Sequence, residues 1–249
     1  MSAPRILVLD IETSPNLAWV WGMWDQNVGI NQLVESQTVL CFAARWLGEK
    51  KVHFHSVHQD GQAGMIQAAW DLLEESDAII HYNGKGFDIK HLHREFLLHK
   101  LGPPSPHRDI DLLTVCRGRF KFPSNKLDYI SQALGLGQKV KHAGMELWIA
   151  CMQGDDKAWA TMRKYNIGDI QLTEDLYYEL LPWIKNHPHV GSYNGEAHSC
   201  PNCGGTDIRK NGWSVSNAST YQRYRCKSCG ANIRDAKKNP EVKTTTRGI

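Results

Sequence analysis

Residues 5–16 read RILVLDIETSPN. Ile6 to Leu9 form a short apolar run of the kind that makes a buried strand. The run then passes directly into Asp10 and Glu12. Side chains two apart on a strand share one face, so a strand that persists to Glu12 projects both carboxylates side by side. Adjacent carboxylates repel, and burying either without a partner is costly. A divalent cation would resolve the conflict, because hard oxygen ligands suit Mg²⁺ and Mn²⁺. The same residues also read as a strand leaving the core through an acidic surface turn before Pro15. This stretch alone leaves both readings open.

Outward from it, strand-like and helical patterns interleave. Strands are expected at 5–11, 37–47, 51–57 and 77–82, and helices near 62–75, 87–100, 125–135, 143–152 and 156–181. That alternation argues for an α/β layer structure. A polar stretch broken by Pro and Gly follows the last helix and reads as a linker. The expected organisation is a catalytic domain over 1–184, a linker over 185–197, a cysteine module over 198–235 and a disordered basic tail over 236–249.

The chain has 249 residues, of which 41% are hydrophobic, enough for one large domain with a core and a small module. No apolar run approaches a membrane span. No signal peptide is visible, so a cytoplasmic location is expected, with cysteines serving as metal ligands rather than disulfides. The net charge of +3 is unevenly spread: 197–249 carries ten Lys or Arg against three Asp or Glu, leaving 1–196 acidic. A basic end on an acidic body suits a polyanionic partner.

Two further carboxylates matter. In IIHYNGKGFDIKHL (79–92), Asn83 and Gly84 break the chain after a strand, and Asp88 falls in the first turn of the next helix. A helix dipole favours an acid there, which is reason enough for Asp88 without any catalytic role. In YNIGDIQLTEDLY (165–177), Met162, Tyr165, Asp169, Leu172 and Leu176 share one helical face. Asp169 therefore lies in an apolar stripe and needs a partner, with the Tyr165 hydroxyl one turn earlier.

Taken together, these motifs resemble the DEDD superfamily of 3′–5′ exonucleases, which have a ribonuclease H-like fold. Asp10 to Thr13 look like its first motif, Asn83, Phe87 and Asp88 its second, and Tyr165 with Asp169 its third. The histidine branch would place His where Lys164 stands, so the chain looks like the DEDDy branch, similar to the proofreading domains of family B polymerases. The likeness covers about 5–181. The resemblance implies a mixed sheet flanked by helices and a pair of Mg²⁺ or Mn²⁺ ions. Asp10 would bridge them, Glu12 and Asp169 would complete the first site, and Asp88 would serve the second. Tyr165 would orient the attacking water; Thr13, Asn83 and Phe87 would contact substrate.

Weaker candidates are read as ordinary structure. His53, His55 and His58 are expected to be strand histidines. Trp19, Trp21 and Trp24 are expected to fill a hairpin core rather than stack on bases. Asp111 and Asp128 are expected to be caps, and Cys41, Cys116 and Cys151 buried or idle thiols.

Cys200, Cys203, Cys226 and Cys229 form two C-x₂-C pairs, which suits one structural Zn²⁺ held by four thiolates. Gly follows each second cysteine and permits a tight turn. The module resembles zinc ribbons of nucleic-acid proteins. Arg209, Lys210, Arg223, Arg225 and Lys227 could meet phosphates, with Trp213, Tyr221 and Tyr224 available for stacking. His198 is a possible alternative zinc ligand.

The expected function is a metal-dependent 3′–5′ exonuclease, of bacterial or phage origin, acting on nucleic acid with DNA as the working substrate. The alternatives are a structure-selective endonuclease on the same fold and an inactive nucleic-acid-binding adaptor.

Overall fold

The computed structural model describes residues 3–241 apart from 194, 197 and 217. Residues 242–249, most of the tail expected to be disordered, lie outside the described residues. The chain divides into two compact units, Arg5–Leu176 and Met1–Pro4 with Tyr177–Ile249.

In the first unit, β1 (Ile6–Thr13) precedes a small antiparallel ribbon, β2 (Leu17–Ala18) and β3 (Leu33–Glu35). Then come β4 (Val39–Trp46), β5 (His53–Ser56), α1 (Val57–Glu74), β6 (Ala78–His81), α2 (Asp88–Leu98) and β7 (Arg108–Asp111). Helices α3 (Leu112–Arg119), α4 (Leu127–Ala133), α5 (Met145–Met152) and α6 (Asp156–Leu180) follow, the last turn of α6 from Tyr177 belonging to the second unit. The main sheet has the order β5-β4-β1-β6-β7. β4 runs antiparallel to β1 and β5, whereas β6 is parallel to β1 and β7. This is the mixed, helix-flanked sheet of a ribonuclease H-like fold.

Strand alternation decides what each face carries. Leu7, Leu9 and Ile11 pack with Val39 and Phe42 against Met65, Ile66 and Leu73 of α1 and Leu92 and Phe96 of α2. Asp10 and Glu12 must therefore point the other way. On that side Leu40 and Cys41 pack against Leu147 and Cys151 of α5 and Trp159, Met162 and Tyr165 of α6. Successive residues Leu40 and Cys41 can share this cluster because the β1–β4 register shifts between Glu12 and Thr13, leaving Leu40 as an extra residue.

Three local features differ from expectation. β7 and α3 carry no sequence signal strong enough to announce them: β7 is RDID, an edge strand with only Ile110 buried. Trp19, Trp21 and Trp24 do not form a hairpin core; they are 77, 100 and 83% exposed, because the ribbon is too short to enclose an interior. His58 lies in α1, not on a strand, hydrogen-bonded to Asp156 and stacked on Trp159.

In the second unit, α7 (Val190–Tyr193) precedes β8 (Ile208–Val215), β9 (Thr220–Cys226) and β10 (Asn232–Arg234). These strands form an antiparallel sheet in the order β10-β9-β8. The residues before the sheet are tied into the unit: Tyr177 hydroxyl meets buried His187 at 2.7 Å, and Asn202 Nδ2 donates to the carbonyls of Leu181 and Ile184. Among the described residues no helix is long and apolar enough to cross a membrane.

Candidate active site

β1 and α6 bring three carboxylates together. Asp10, Glu12 and Asp169 each offer an oxygen, and the three oxygens lie within 4.8 Å of one another. Asp169 is buried, and its Oδ1 has no hydrogen-bond partner. Its Oδ2 accepts from Lys139 Nζ at 2.5 Å, and the same ammonium meets the Tyr165 hydroxyl at 3.1 Å. Asn166, fully buried next to Tyr165, donates from Nδ2 to Asp10 Oδ2 at 2.7 Å. That bond fixes one oxygen of Asp10 and leaves the other for a ligand.

Asp88 stands outside this group of three but close by. Strand β6 pairs with β1 only through Val8. The Ile11 N–H is satisfied instead by Asp88 Oδ1, at 3.1 Å. The turn that aims Asp88 depends on Asn83, whose φ of 71° is a left-handed conformation that Asn tolerates. Its carbonyl accepts from Gly86 and Phe87 N–H, and its own N–H donates to Asp111. Gly84 is required by contact: a Cβ there would lie 2.5 Å from the His81 ring. Because Gly84 N–H donates to His81 Nδ1, the proton sits on Nε2, which faces Asp109 at 3.2 Å.

The other expected contacts lie around the site's edge. Thr13 Oγ1 accepts from Gln37 Nε2 at 2.6 Å. Phe87 is partly buried against the core and meets His91 edge-on at 4.5 Å. Asp111 caps α3 as expected, but Asp128 caps no helix: it lies within the first turn of α4, after Lys126 at the N-cap, and accepts instead from Lys139 N–H and Gln132 Nε2.

The electrostatics follow from crowding. Burial, then the charges of Asp88, Glu12 and Asp169, push the Asp10 carboxyl well above the usual range. Burial and Asp169 push Glu12 up to about 8. Burial raises Asp88 to about 6, against the opposing Ile11 N–H. Asp169 is raised by burial despite the nearby Lys139 ammonium. Burial opposes the charge on Lys139, but Asp169, Tyr165 and Asp10 together outweigh it and hold the ammonium charged above its usual range. Tyr165 is raised by burial and by Asp169, so its hydroxyl keeps its proton. Several half-buried or buried acids, one oxygen with no partner and one compensating lysine make a set that fits hard divalent cations.

Lys139 and Asn166 were not singled out from sequence. Asn166 shares α6 with Tyr165 and could have been found by asking what polar residues flank the apolar stripe. Lys139 lies in the loop between α4 and α5, where no periodicity tells which side chain folds back.

The four cysteines of the second unit also converge, with every sulfur within 4.8 Å of the others. Cys200 and Cys229 sulfurs are 3.6 Å apart, as are those of Cys203 and Cys226. A tetrahedral site with Zn–S bonds of about 2.3 Å has sulfurs about 3.8 Å apart, whereas a disulfide needs about 2 Å. The spacing fits one Zn²⁺. Gly204 and Gly230, at φ of 72° and 79°, make the two turns after the cysteine pairs. Burial raises the Cys226 thiol, but backbone N–H groups of Cys229 and Ser228 and the neighbouring cysteines bring it down to about 7. His198 is outside the sulfur cluster and packs edge-on against Tyr224.

Residues 7–181 match the model of a family described as RNase H superfamily. The chain belongs to the RNase H superfamily. The match spans β1 to α6, and so every carboxylate of the site. Membership points to hydrolysis of nucleic acid, on a fold that generally uses divalent metals. None of the curated proteins matches the chain.

Proposed function

We propose that this RNase H superfamily protein is a 3′–5′ exonuclease of the DEDDy type, cutting phosphodiester bonds by a two-metal mechanism. The observation that carries the reading is the meeting of Asp10, Glu12 and Asp169 around an unpartnered carboxylate oxygen, with Tyr165 one helical turn before Asp169.

Two bound Mg²⁺ or Mn²⁺ ions would activate water and neutralise charge on the phosphate. Asp10 would help hold them, kept in orientation by Asn166. Glu12 and Asp169 would complete one site, and Asp88 would serve the other. Tyr165, with its proton retained, acts as a hydrogen-bonding guide for water rather than as a base. Lys139 offsets the Asp169 charge before cations arrive and lies within reach of the same hydroxyl. Thr13, Asn83 and Phe87 would hold the 3′-terminal nucleotide.

The four-cysteine sheet is proposed as a zinc ribbon that captures nucleic acid, with residues 1–184 as the catalytic domain. Register supports this. Arg209 pairs with Arg225, and Arg223 with Arg234, so like charges face each other across the strands. Like charges directly opposite are unfavourable, and a polyanion would relieve them alongside the contacts of Arg209 with Asp207 and of Arg234 with the Tyr221 ring. A cytoplasmic setting, where thiols stay reduced, suits the cysteines.

The test uses a 5′-labelled strand and a circular single strand with Mg²⁺ or Mn²⁺. A ladder shortening from the 3′ end with the circle intact supports the reading. Internal cutting of the circle would replace it with the endonuclease.

A further inference from the structure

The loop joining β2 to β3 carries the three most exposed tryptophans among the described residues. Trp19, Trp21 and Trp24 are 77, 100 and 83% exposed, and Met23 and Ile30 close by are 88 and 86% exposed. So many large apolar side chains left in solvent within one short segment mark a binding site. A floppy loop would not need the bonding found at its root. Trp19 N–H donates to the Gln32 carbonyl, and Gln32 Nε2 donates back to the Trp19 carbonyl, both at 2.9 Å. Ser14 N–H reaches the Thr38 carbonyl at 2.8 Å, and Gln37 Nε2 reaches Thr13 Oγ1 at 2.6 Å. Arg94 of α2 then holds the Gln37 carbonyl at 2.5 Å. The result is a polar, tightly bonded base presenting an aromatic tip.

Location says what the tip meets. The ribbon leaves the sheet at Thr13, directly after Glu12, and returns at Val39, which pairs with Thr13. Both legs therefore enter beside a proposed metal ligand. At the root opens a cleft of about 560 Å³, lined by Ser14, Glu35 and Thr38 on one side and Leu40, Met152 and Trp159 on the other. Leu40 and Trp159 belong to the cluster that contains Tyr165. The cleft thus shares its apolar wall with the packing around Tyr165 and has the volume of a small-molecule site.

Chemistry narrows the occupant. Residues 14–37 contain no Lys or Arg, and their only charges are Asp25 and Glu35. Such a surface offers phosphate no cation, but it offers flat π faces to uncharged rings. Nucleobases freed from a helix fit that description, and every base has such a face.

We propose that the Trp19–Trp24 tip is a stacking platform for unpaired nucleobases near the 3′ end of the substrate strand, and that the cleft at its root receives one of them. This deepens the nuclease reading and rests on it. The platform selects strands whose ends are single-stranded or frayed.

The experiment measures binding of full-length protein in Ca²⁺, which suppresses cutting, and separately measures cutting in Mg²⁺. The probes are a short single strand and the same strand with abasic residues near its 3′ end. Trp19, Trp21 and Trp24 are replaced together, first by Ala and then by Phe. The Ala variant should bind the normal strand at least about fivefold more weakly, the low end for losing one stacked base. The difference should vanish on the abasic strand, and Phe should restore most of the affinity. Equal affinity of wild type and Ala variant for the normal strand would overturn the proposal and assign the apolar tip to a protein partner. An equal loss on both strands would also overturn it, because bases would then not be what is read. So would failure of the wild-type protein to bind the normal strand. Trp-dependent binding without any cutting would instead remove the exonuclease reading and leave the platform standing.

Discussion

Replacing Glu12 by Gln should stabilise the metal-free protein while destroying its response to divalent cations. Glu12 sits with Asp10 and Asp169 in a group whose oxygens lie within 4.8 Å, and its carboxyl is pushed from 4.5 to about 8, chiefly by burial and then by Asp169. In the unfolded chain that proton leaves near the ordinary value. The folded protein keeps it, so unfolding becomes easier as pH rises from 4.5 towards 8. Each pH unit in that window costs about 1.4 kcal/mol for the group, which by pH 7 amounts to about 3 kcal/mol. Asp10 and Asp169 titrate with it and share part of that cost, so relief of about 1–3 kcal/mol is expected from the neutral amide. For a unit of this size that is a rise in Tm of about 3–10 °C. The assay is thermal unfolding of wild-type and Glu12→Gln protein between pH 5 and 8, in chelator and then in Mn²⁺. The wild type should lose stability towards pH 8 in chelator and recover it with Mn²⁺; the variant should show a shallower slope and little Mn²⁺ effect. A variant less stable than wild type at pH 8 in chelator would refute the crowding argument, as would a full Mn²⁺ response.

Other changes test single contacts. Tyr165→Phe removes only the hydroxyl and should lower turnover by about tenfold to a thousandfold, with Mn²⁺ stabilisation retained; an unchanged rate would reduce Tyr165 to packing. Asn166→Ala removes the donor to Asp10 Oδ2 and leaves a cavity on α6, so it should weaken Mn²⁺ affinity and cost stability by about 1–3 kcal/mol, read by titration and thermal unfolding. Cys226→Ser should release Zn²⁺ and unfold the three-stranded sheet, seen as loss of one equivalent of bound zinc together with lost amide protection over 208–234. Retained zinc would contradict the four-sulfur site.

The sequence exposed the site wherever chemistry and periodicity coincided. Asp10 and Glu12 stand at the end of an apolar strand, and Asp169 stands in an apolar helical stripe, so each was out of place by local rules. Asp88 was harder, because a helix dipole explains an acid at that position equally well. Only the free Ile11 N–H gives it a second reason to be there, and that depends on β6 ending early. Lys139 was invisible because its position follows from loop folding rather than any local pattern. β7 carries little signal because an edge strand needs little apolar content, and the three tryptophans point towards a core because aromatic residues usually mean one. Their exposure is set by the shortness of the ribbon, which the sequence does not announce.

The central claim is that the carboxylate cluster carries metal to the scissile phosphate. The most direct test is hydrolysis of a 5′-labelled strand bearing a single phosphorothioate at its 3′-terminal linkage. Sulfur binds Mg²⁺ poorly and Mn²⁺ better, so the first cut should slow sharply in Mg²⁺ and recover in Mn²⁺, with Asp10→Ala and Asp169→Ala inactive in both. Equal rates for sulfur and oxygen in Mg²⁺, or cutting by either Ala variant, would contradict it.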